Sequence, residues 1–201
     1  MRIGIFTNNY LPLQGGVATS CEILRRGSLA LGHEPYVFAP RFPGYTDAAP
    51  EVFRYASIPA PTYPDFSLAI PFSPRIVRAV EALKLDIFHA QHPFLLGQAA
   101  RRLARRFDRP LIFTYHTRYE KYAHYVPFQR RIVERVAIRR SLTFAAQVDL
   151  VVAPSEGIRR FLEAQRVQSP IAVLPTGVEV DLFVPGDQAL ARRALGLPLA
   201  S

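Results

Sequence analysis

The sequence predicts an α/β architecture, a mostly parallel, doubly wound sheet with helices on both faces. Three observations predict it. Apolar runs of strand length recur along the 201-residue chain. Segments with apolar residues at helical spacing separate those runs, the pattern of strand–helix–strand units. Residues with chemistry to offer cluster just after the apolar runs, at the carboxyl ends where such sheets bind ligands.

"RIGIFT" opens the chain as a short buried strand, and "NNYLPLQGG" breaks it with turn formers. "VATSCEILRRGSLALG" follows as an amphipathic helix that stops near Gly32. "HEPYVFAP" is a second strand. From Arg41 to Pro74 the chain is rich in proline and aromatic residues, which predicts strand fragments and ordered loops. "DIFHA" is a strand followed by a helix through "LLGQAARRLARRF", and "PLIFTYH" is a strand followed by a helix in "FQRRIVERVAIRRSLTFAAQ". "VDLVVAPS" is strand and turn, with Ser155 as N-cap of "EGIRRFLEAQ", and "IAVLPTG" closes the series. Residues 1–180 are expected to form one domain, with 181–201 a connector and short helix.

Composition narrows the function. Nearly half of the residues are hydrophobic, enough for a proper core. Cys21 is the single cysteine, so no disulfide forms within the chain, which fits a reducing compartment. Its helical setting predicts a small buried thiol rather than a nucleophile. "MRIGIFTNNY" has too short an apolar part for a signal peptide, and no stretch approaches the ~18 apolar residues of a membrane span. A soluble, cytoplasmic protein is expected. Net charge is +9, and 23 of the 25 basic residues are arginine, clustered at 101–106 and 130–140. Such clusters suit nucleic acid or an anionic membrane surface. No helix-turn-helix, zinc-finger or RNP pattern supports nucleic acid. A nicotinamide-linked oxidoreductase would need G-x-G-x-x-G and a ribose-binding acid after "PYVFAP"; "GGVATS" departs from the first and the second is missing.

Each candidate site residue has a plain alternative. Gly15 and Gly16 precede a helix, where backbone N–H groups can cradle a phosphate, or they make a tight turn. His116 ends a strand, where it meets a ligand hydroxyl or is satisfied by local backbone. His89 and His92 lack the cysteine or carboxylate partners of a metal site, so no metal is expected. Tyr115, Tyr119, Tyr122 and Tyr125, with Arg118 and Lys121, have apolar bodies and polar tips suited to sugar faces or headgroup depth, or they pack a long loop. Arg130, Arg131, Arg135, Arg139 and Arg140 lie on a helix with Ile132, Val133, Val136, Ala137 and Leu142, which can rest on anionic lipid or present a solvated outer face.

Together, "NNYLPLQGGV", "HAQHPF", "TYHTRYEKYAHYVP", "VVAPSEGIRRFL" and "VLPTGVEVDLF" resemble the N-terminal half of retaining glycosyltransferases with two Rossmann domains, the GT-B type. The resemblance covers almost the whole chain, and the tyrosine–histidine stretch looks most like the branch that glycosylates diacylglycerol or phosphatidylinositol-type lipids. It implies a UDP- or GDP-linked sugar donor, a hydroxyl acceptor such as a membrane lipid, and no cofactor or donor-site metal. Gly15 and Gly16 would approach the donor diphosphate. His116 would be the catalytic residue beside the reacting carbon. Tyr10, His92, Tyr119, Tyr122, His124 and Tyr125 would lie on the acceptor side, and the arginines of the 130–140 helix would hold the enzyme peripherally on the membrane. Thr176, Gly177 and Val178 would mark the start of the interdomain connector. One departure stands out: the family's second, donor-binding domain is absent, and the chain ends at "LGLPLAS" where that domain should begin. The expectation is an acceptor-side domain that folds alone without transferring sugar, since half a preorganised site cannot stabilise the leaving group.

Overall fold

The computed structural model describes residues 1–60, 63–116, 130–178, 180 and 186–198. Seven strands form one parallel sheet: β1 (Arg2–Phe6), β2 (Glu34–Pro40), β3 (Val52–Tyr55), β6 (Ile87–Ala90), β7 (Leu111–Thr114), β8 (Leu150–Ala153) and β9 (Ile171–Val173). Their order is β3-β2-β1-β6-β7-β8-β9. The chain thus runs outward from β1 in one direction, then returns to build in the other, and the switch falls between β1 and β6. The aromatic stretch between β3 and β6 contributes a separate antiparallel pair, β4 (Ser57–Ala60) with β5 (Tyr63–Ala69).

Helices cover both faces, as expected. α1 (Gly16–Ala30) presents Val17, Cys21 and Leu24 at helical spacing to a small core with Ile5, Val37 and Ala39. Gly32, with φ +74°, turns the chain out of that helix. On the opposite face, α2 (Pro74–Leu83), α3 (Leu96–Phe107), α4 (Arg130–Ala145) and α5 (Glu156–Ala164) share the larger core. Alternation along β1 sends Phe6 into that core, where it stacks on Phe38 at 4.3 Å, and Ile5 towards α1. α3 buries Leu96, Ala99, Ala100, Leu103 and Ala104, one stripe at i, i+3, i+4, i+7, i+8, and turns its four arginines outward. Ser155 caps α5 as predicted, its hydroxyl accepting from the Ile158 N–H at 3.3 Å. Cys21 is buried, and burial pushes its thiol up to about 12, so it stays protonated and inert at neutral pH. α6 (Gln188–Ala194) is a short helix after β9.

α2 is an addition to the elements expected from the sequence. Its signal is local: Ser73 accepts from the Ile76 N–H, and Pro74 occupies the first turn, where its missing N–H costs nothing. Among the described residues, no helix is long and apolar enough to cross a membrane.

Candidate functional site at the carboxyl ends of β1, β6 and β7

Register sets the site. Phe6, Ala90 and Phe113 share one rung of neighbouring strands. The residues one step beyond are therefore Thr7, Gln91 and Thr114, side by side at the sheet's carboxyl edge. His116 follows two residues after Thr114, and Asn8 and His92 one residue after Thr7 and Gln91.

Asn8 ties these ends together. Its backbone N–H donates to His92 Nδ1 at 3.1 Å. Its side-chain amide donates to the Phe94 carbonyl at 3.2 Å and accepts from the Leu96 N–H at 3.1 Å. The last bond caps α3 from another strand, because Leu95, at φ 46°, supplies no side-chain cap. His92 Nδ1 is an acceptor here, so its ring proton sits on Nε2. Across the strand end, His116 Nε2 lies 2.6 Å from Gln91 Oε1. His89 projects from inside β6 to the α1 face, with Nε2 2.7 Å from Thr114 Oγ1.

These three imidazoles are held neutral. Burial, and then the nearby His116, push His89 and His92 down to about 3. Burial pushes His116 down to about 4. At physiological pH each is a neutral ring with one nitrogen already engaged within the protein, which leaves the other as its hydrogen-bonding group.

A cleft of about 490 Å³ opens over this cluster. His89, Gln91, Thr114 and His116 line it together with Ser20 and Ile23 of α1 and Thr176 and Gly177 after β9. A second hollow, about 510 Å³, adjoins it through Ile23 and Gly177 and reaches Leu11, Leu13 and Gln14 beside the glycine pair. Two hollows of about 620 Å³ lie elsewhere, one between α2 and α3 and one beside β3. They are larger but lack the converging strand ends, so the edge cleft is the better candidate.

Gly15 and Gly16 start α1, whose first turn has no side-chain cap. A Cβ on either glycine would meet nothing within 4 Å. Open space, not internal packing, is what their lack of side chains preserves at this positive end of the helix.

Tyr10 differs from the expectation of an acceptor-side contact. It is 1% exposed, and its hydroxyl donates to Glu22 Oε2 at 2.5 Å. Burial, and then that carboxylate, push its pKa up. Burial alone would raise Glu22 too, but hydrogen bonds from Arg25, Tyr10 and Arg26 outweigh it and hold the carboxyl at about 2. Tyr10 in this arrangement buttresses the turn leading to the glycines. Arg54 braces the same turn: it pairs with Asp47, donates to the Pro40 and Leu11 carbonyls at 2.7 Å, and lies 5.6 Å from the Tyr10 ring centre.

His116, His92 and the glycine pair thus come to one edge. Tyr119, Tyr122, His124 and Tyr125 lie outside the described residues, as do the side chains of Arg130 and Arg131. Arg135, Arg139 and Arg140 are exposed on α4, away from the core side of that helix. Among the described residues, no three His, Cys, Asp or Glu side chains gather as a metal site would require. Sequence reasoning passed over Gln91 and Thr114. Gln91 was flanked by the two histidines of "HAQHP", and its burial to 1% is a tertiary fact.

Residues 14–182 match the family described as Glycosyltransferase Family 4. The chain is 34% identical over 192 residues to the alpha-monoglucosyldiacylglycerol synthase of Streptococcus pneumoniae (strain ATCC BAA-255 / R6), covering 91% of this chain and 42% of that protein. It is 31% identical to the Acholeplasma laidlawii protein of the same name, covering 91% and 48%. A GDP-mannose-dependent alpha-mannosyltransferase of Mycobacterium tuberculosis (strain CDC 1551 / Oshkosh) is 29% identical, with 96% and 52% covered. In fold, the chain is similar to Anabaena Alr3699/HepE, solved in complex with UDP-glucose, with a TM-score of 0.63 at 15% identity, covering 98% of this chain and 50% of that one. The chain spans about half the length of the curated relatives it matches. From its strand-end cleft, parallel sheet and matched residues, this chain belongs to glycosyltransferase family 4 and has the Rossmann-like fold of one half of a GT-B enzyme.

Proposed function

We propose that this chain is the acceptor-side half of a retaining glycosyltransferase that moves a sugar from a UDP- or GDP-linked donor to a hydroxyl of a membrane lipid such as diacylglycerol. The observation that carries the reading is the convergence of two groups at one sheet edge. Gln14, just before the uncapped glycine pair, and Ala18 and Thr19 in the first turns of α1 line one cleft, and the neutral His116 lines the cleft adjoining it. The helix start suits the negative charge that builds on a departing diphosphate. His116 suits a sugar hydroxyl near the reacting carbon. In the proposed front-face substitution, the acceptor oxygen bonds to the anomeric carbon on the face from which the diphosphate leaves. The carbon–phosphate oxygen bond breaks as the new bond forms, and the leaving phosphate takes the acceptor's proton. The names of the two diacylglycerol relatives support a lipid acceptor.

The test is transfer from UDP-glucose or GDP-mannose to diacylglycerol in vesicles, by the chain alone and by the chain joined to a donor-binding second domain. Transfer is expected only in the two-domain form, and His116→Ala is expected to lower it about 10–100-fold, the loss of one to two substrate hydrogen bonds. Robust transfer by the chain alone would reject the half-site reading. Transfer to a soluble sugar but no lipid would remove the lipid acceptor.

Peripheral membrane contact through α4 belongs to the same proposal. Ile132 is 55% and Val136 49% exposed, one turn apart, beside exposed Arg135, Arg139 and Arg140. An apolar pair flanked by arginines suits the headgroup boundary of an anionic cytoplasmic leaflet. In flotation, the chain is expected to rise with anionic vesicles and not with neutral ones, and the joint change of Arg135, Arg139 and Arg140 to Gln is expected to abolish flotation. Equal flotation of the variant would place the contact elsewhere.

A further inference from the structure

We propose that Gln91 is a positioning residue: its amide oxygen fixes the ring tautomer of His116, so that Nδ1 is the lone-pair acceptor left for a ligand hydroxyl. The role for His116 rests on the glycosyltransferase reading above; the tautomer assignment does not.

The geometry is specific. Gln91 is 1% exposed at the carboxyl end of β6, and its backbone N–H donates to the Phe6 carbonyl at 2.8 Å, which extends the sheet ladder by one residue. The side chain therefore leaves from a fixed point. Its Oε1 is 2.6 Å from His116 Nε2. An amide oxygen only accepts, so Nε2 must carry the proton, and in the neutral ring Nδ1 must be bare. The His116 backbone N–H is already engaged with the Thr114 carbonyl at 3.1 Å, which holds the ring's root. His116 lines the cleft, and burial keeps it neutral at physiological pH.

Gln91 Nε2, in contrast, has no hydrogen-bond partner among the described residues and is fully buried. Amide orientation and ring tautomer are thus one coupled choice. Turning the amide over would aim Nε2 at His116, demand the opposite tautomer, and leave the oxygen unpartnered instead. A hydroxyl donor on the ligand side is served only by the orientation seen here. A structural filler would need neither the oxygen nor its direction.

The experiment is ¹⁵N-detected NMR of the histidine ring nitrogens in the chain, with Gln91→Met and Gln91→Glu. In the unaltered chain, His116 is expected to show a protonated Nε2 and an unprotonated Nδ1. Gln91→Met keeps the volume and removes the acceptor, and is expected to release His116 into a mixture of tautomers while the backbone spectrum stays folded. Gln91→Glu restores an acceptor, and is expected to recover the Nε2–H form and raise the His116 pKa by roughly 1–3, as an adjacent carboxylate does. An unchanged tautomer in Gln91→Met overturns the proposal whatever Gln91→Glu does. The two readings separate cleanly. A tautomer that follows residue 91, with sugar transfer indifferent to His116→Ala, keeps the positioning role and rejects the catalytic one. Transfer that depends on His116, with a tautomer indifferent to residue 91, does the reverse.

Discussion

Acidification from pH 7 to pH 4 is expected to unfold the chain, with stability falling by about 2–4 kcal/mol per pH unit below pH 6. The cause is the histidine cluster. In the folded chain His89 and His92 take a proton only near pH 3, and His116 only near pH 4. In the unfolded chain an imidazole takes one near 6.5. Between those values the unfolded state binds more protons, so stability rises with pH across the interval. The contribution is complete above about 6.5 and is lost as pH falls. Each ring adds about 1.4 kcal/mol per pH unit to the slope, so three set the upper figure; solvent reaching the half-buried His89 and His116 from the cleft lowers it. From pH 6 to pH 4 the loss reaches about 4–8 kcal/mol, which brings a domain at the lower end of the ordinary 5–15 kcal/mol to its unfolding point. Glu22, held at about 2 when folded, loses its share as pH falls from the ordinary carboxylate value towards 2, so it enters only at the acid end of this interval. Urea melts from pH 7.5 to 4.5 would measure the slope. His92→Asn supplies the control, because an amide oxygen can still accept from the Asn8 N–H without titrating. It is expected to flatten the acid limb by about 1.4 kcal/mol per pH unit. A parallel limb in that variant would show that His92 titrates alike in the folded and unfolded chain, and a flat profile in the unaltered chain would show the same of all three rings.

Legibility in the sequence followed the range of the interaction. β1, β2, β6, β7, β8 and β9, and helices α1, α3, α4 and α5, were readable because each is an apolar run or a helical stripe bounded by its own turn residues. Ser155 and Gly32 were readable for the same reason, since caps are local. α2 was obscured by the aromatic, proline-rich stretch before it, although Ser73 and Pro74 carried a start signal. The carboxyl-end rule placed His92, His116 and the glycine pair at one edge. It could not say which way a side chain points. Tyr10 stands in the same turn as the glycines, yet Glu22, twelve residues on, draws it inward. Gln91 is the converse case, a residue without an obvious chemical signature that becomes informative only once β6 and β7 bring it beside His116.

Long-range closeness also decides the second large effect: Gly97→Ala is expected to destabilise the chain by about 3 kcal/mol, the upper end of the usual cost of overpacking. Propensity argues the opposite way. Gly97 lies inside α3, where alanine is normally the better residue by about 1 kcal/mol. The tertiary contact reverses the sign. A Cβ there would meet the His92 carbonyl oxygen at 1.7 Å and its carbon at 2.8 Å, with Phe144 at 3.5 Å behind. Neither partner is a flexible side chain, so the helix or the strand-end turn must retreat by more than an ångström. That turn carries the His92 ring bonded to the Asn8 N–H, and Asn8 in turn caps α3. Relief of the clash therefore breaks the latch that joins β1, β6 and α3. For a chain of this length the melting temperature is expected to fall by about 10 °C. Gly27→Ala is the matched control. It also sits inside a helix, but its Cβ would meet nothing within 4 Å, so it is expected to be neutral or to stabilise by up to about 1 kcal/mol. Thermal melts of the two variants should move in opposite directions. A common sign would mean that glycine at 97 answers to helix propensity, and that the close approach of α3 to the His92 turn does not hold the strand ends in place.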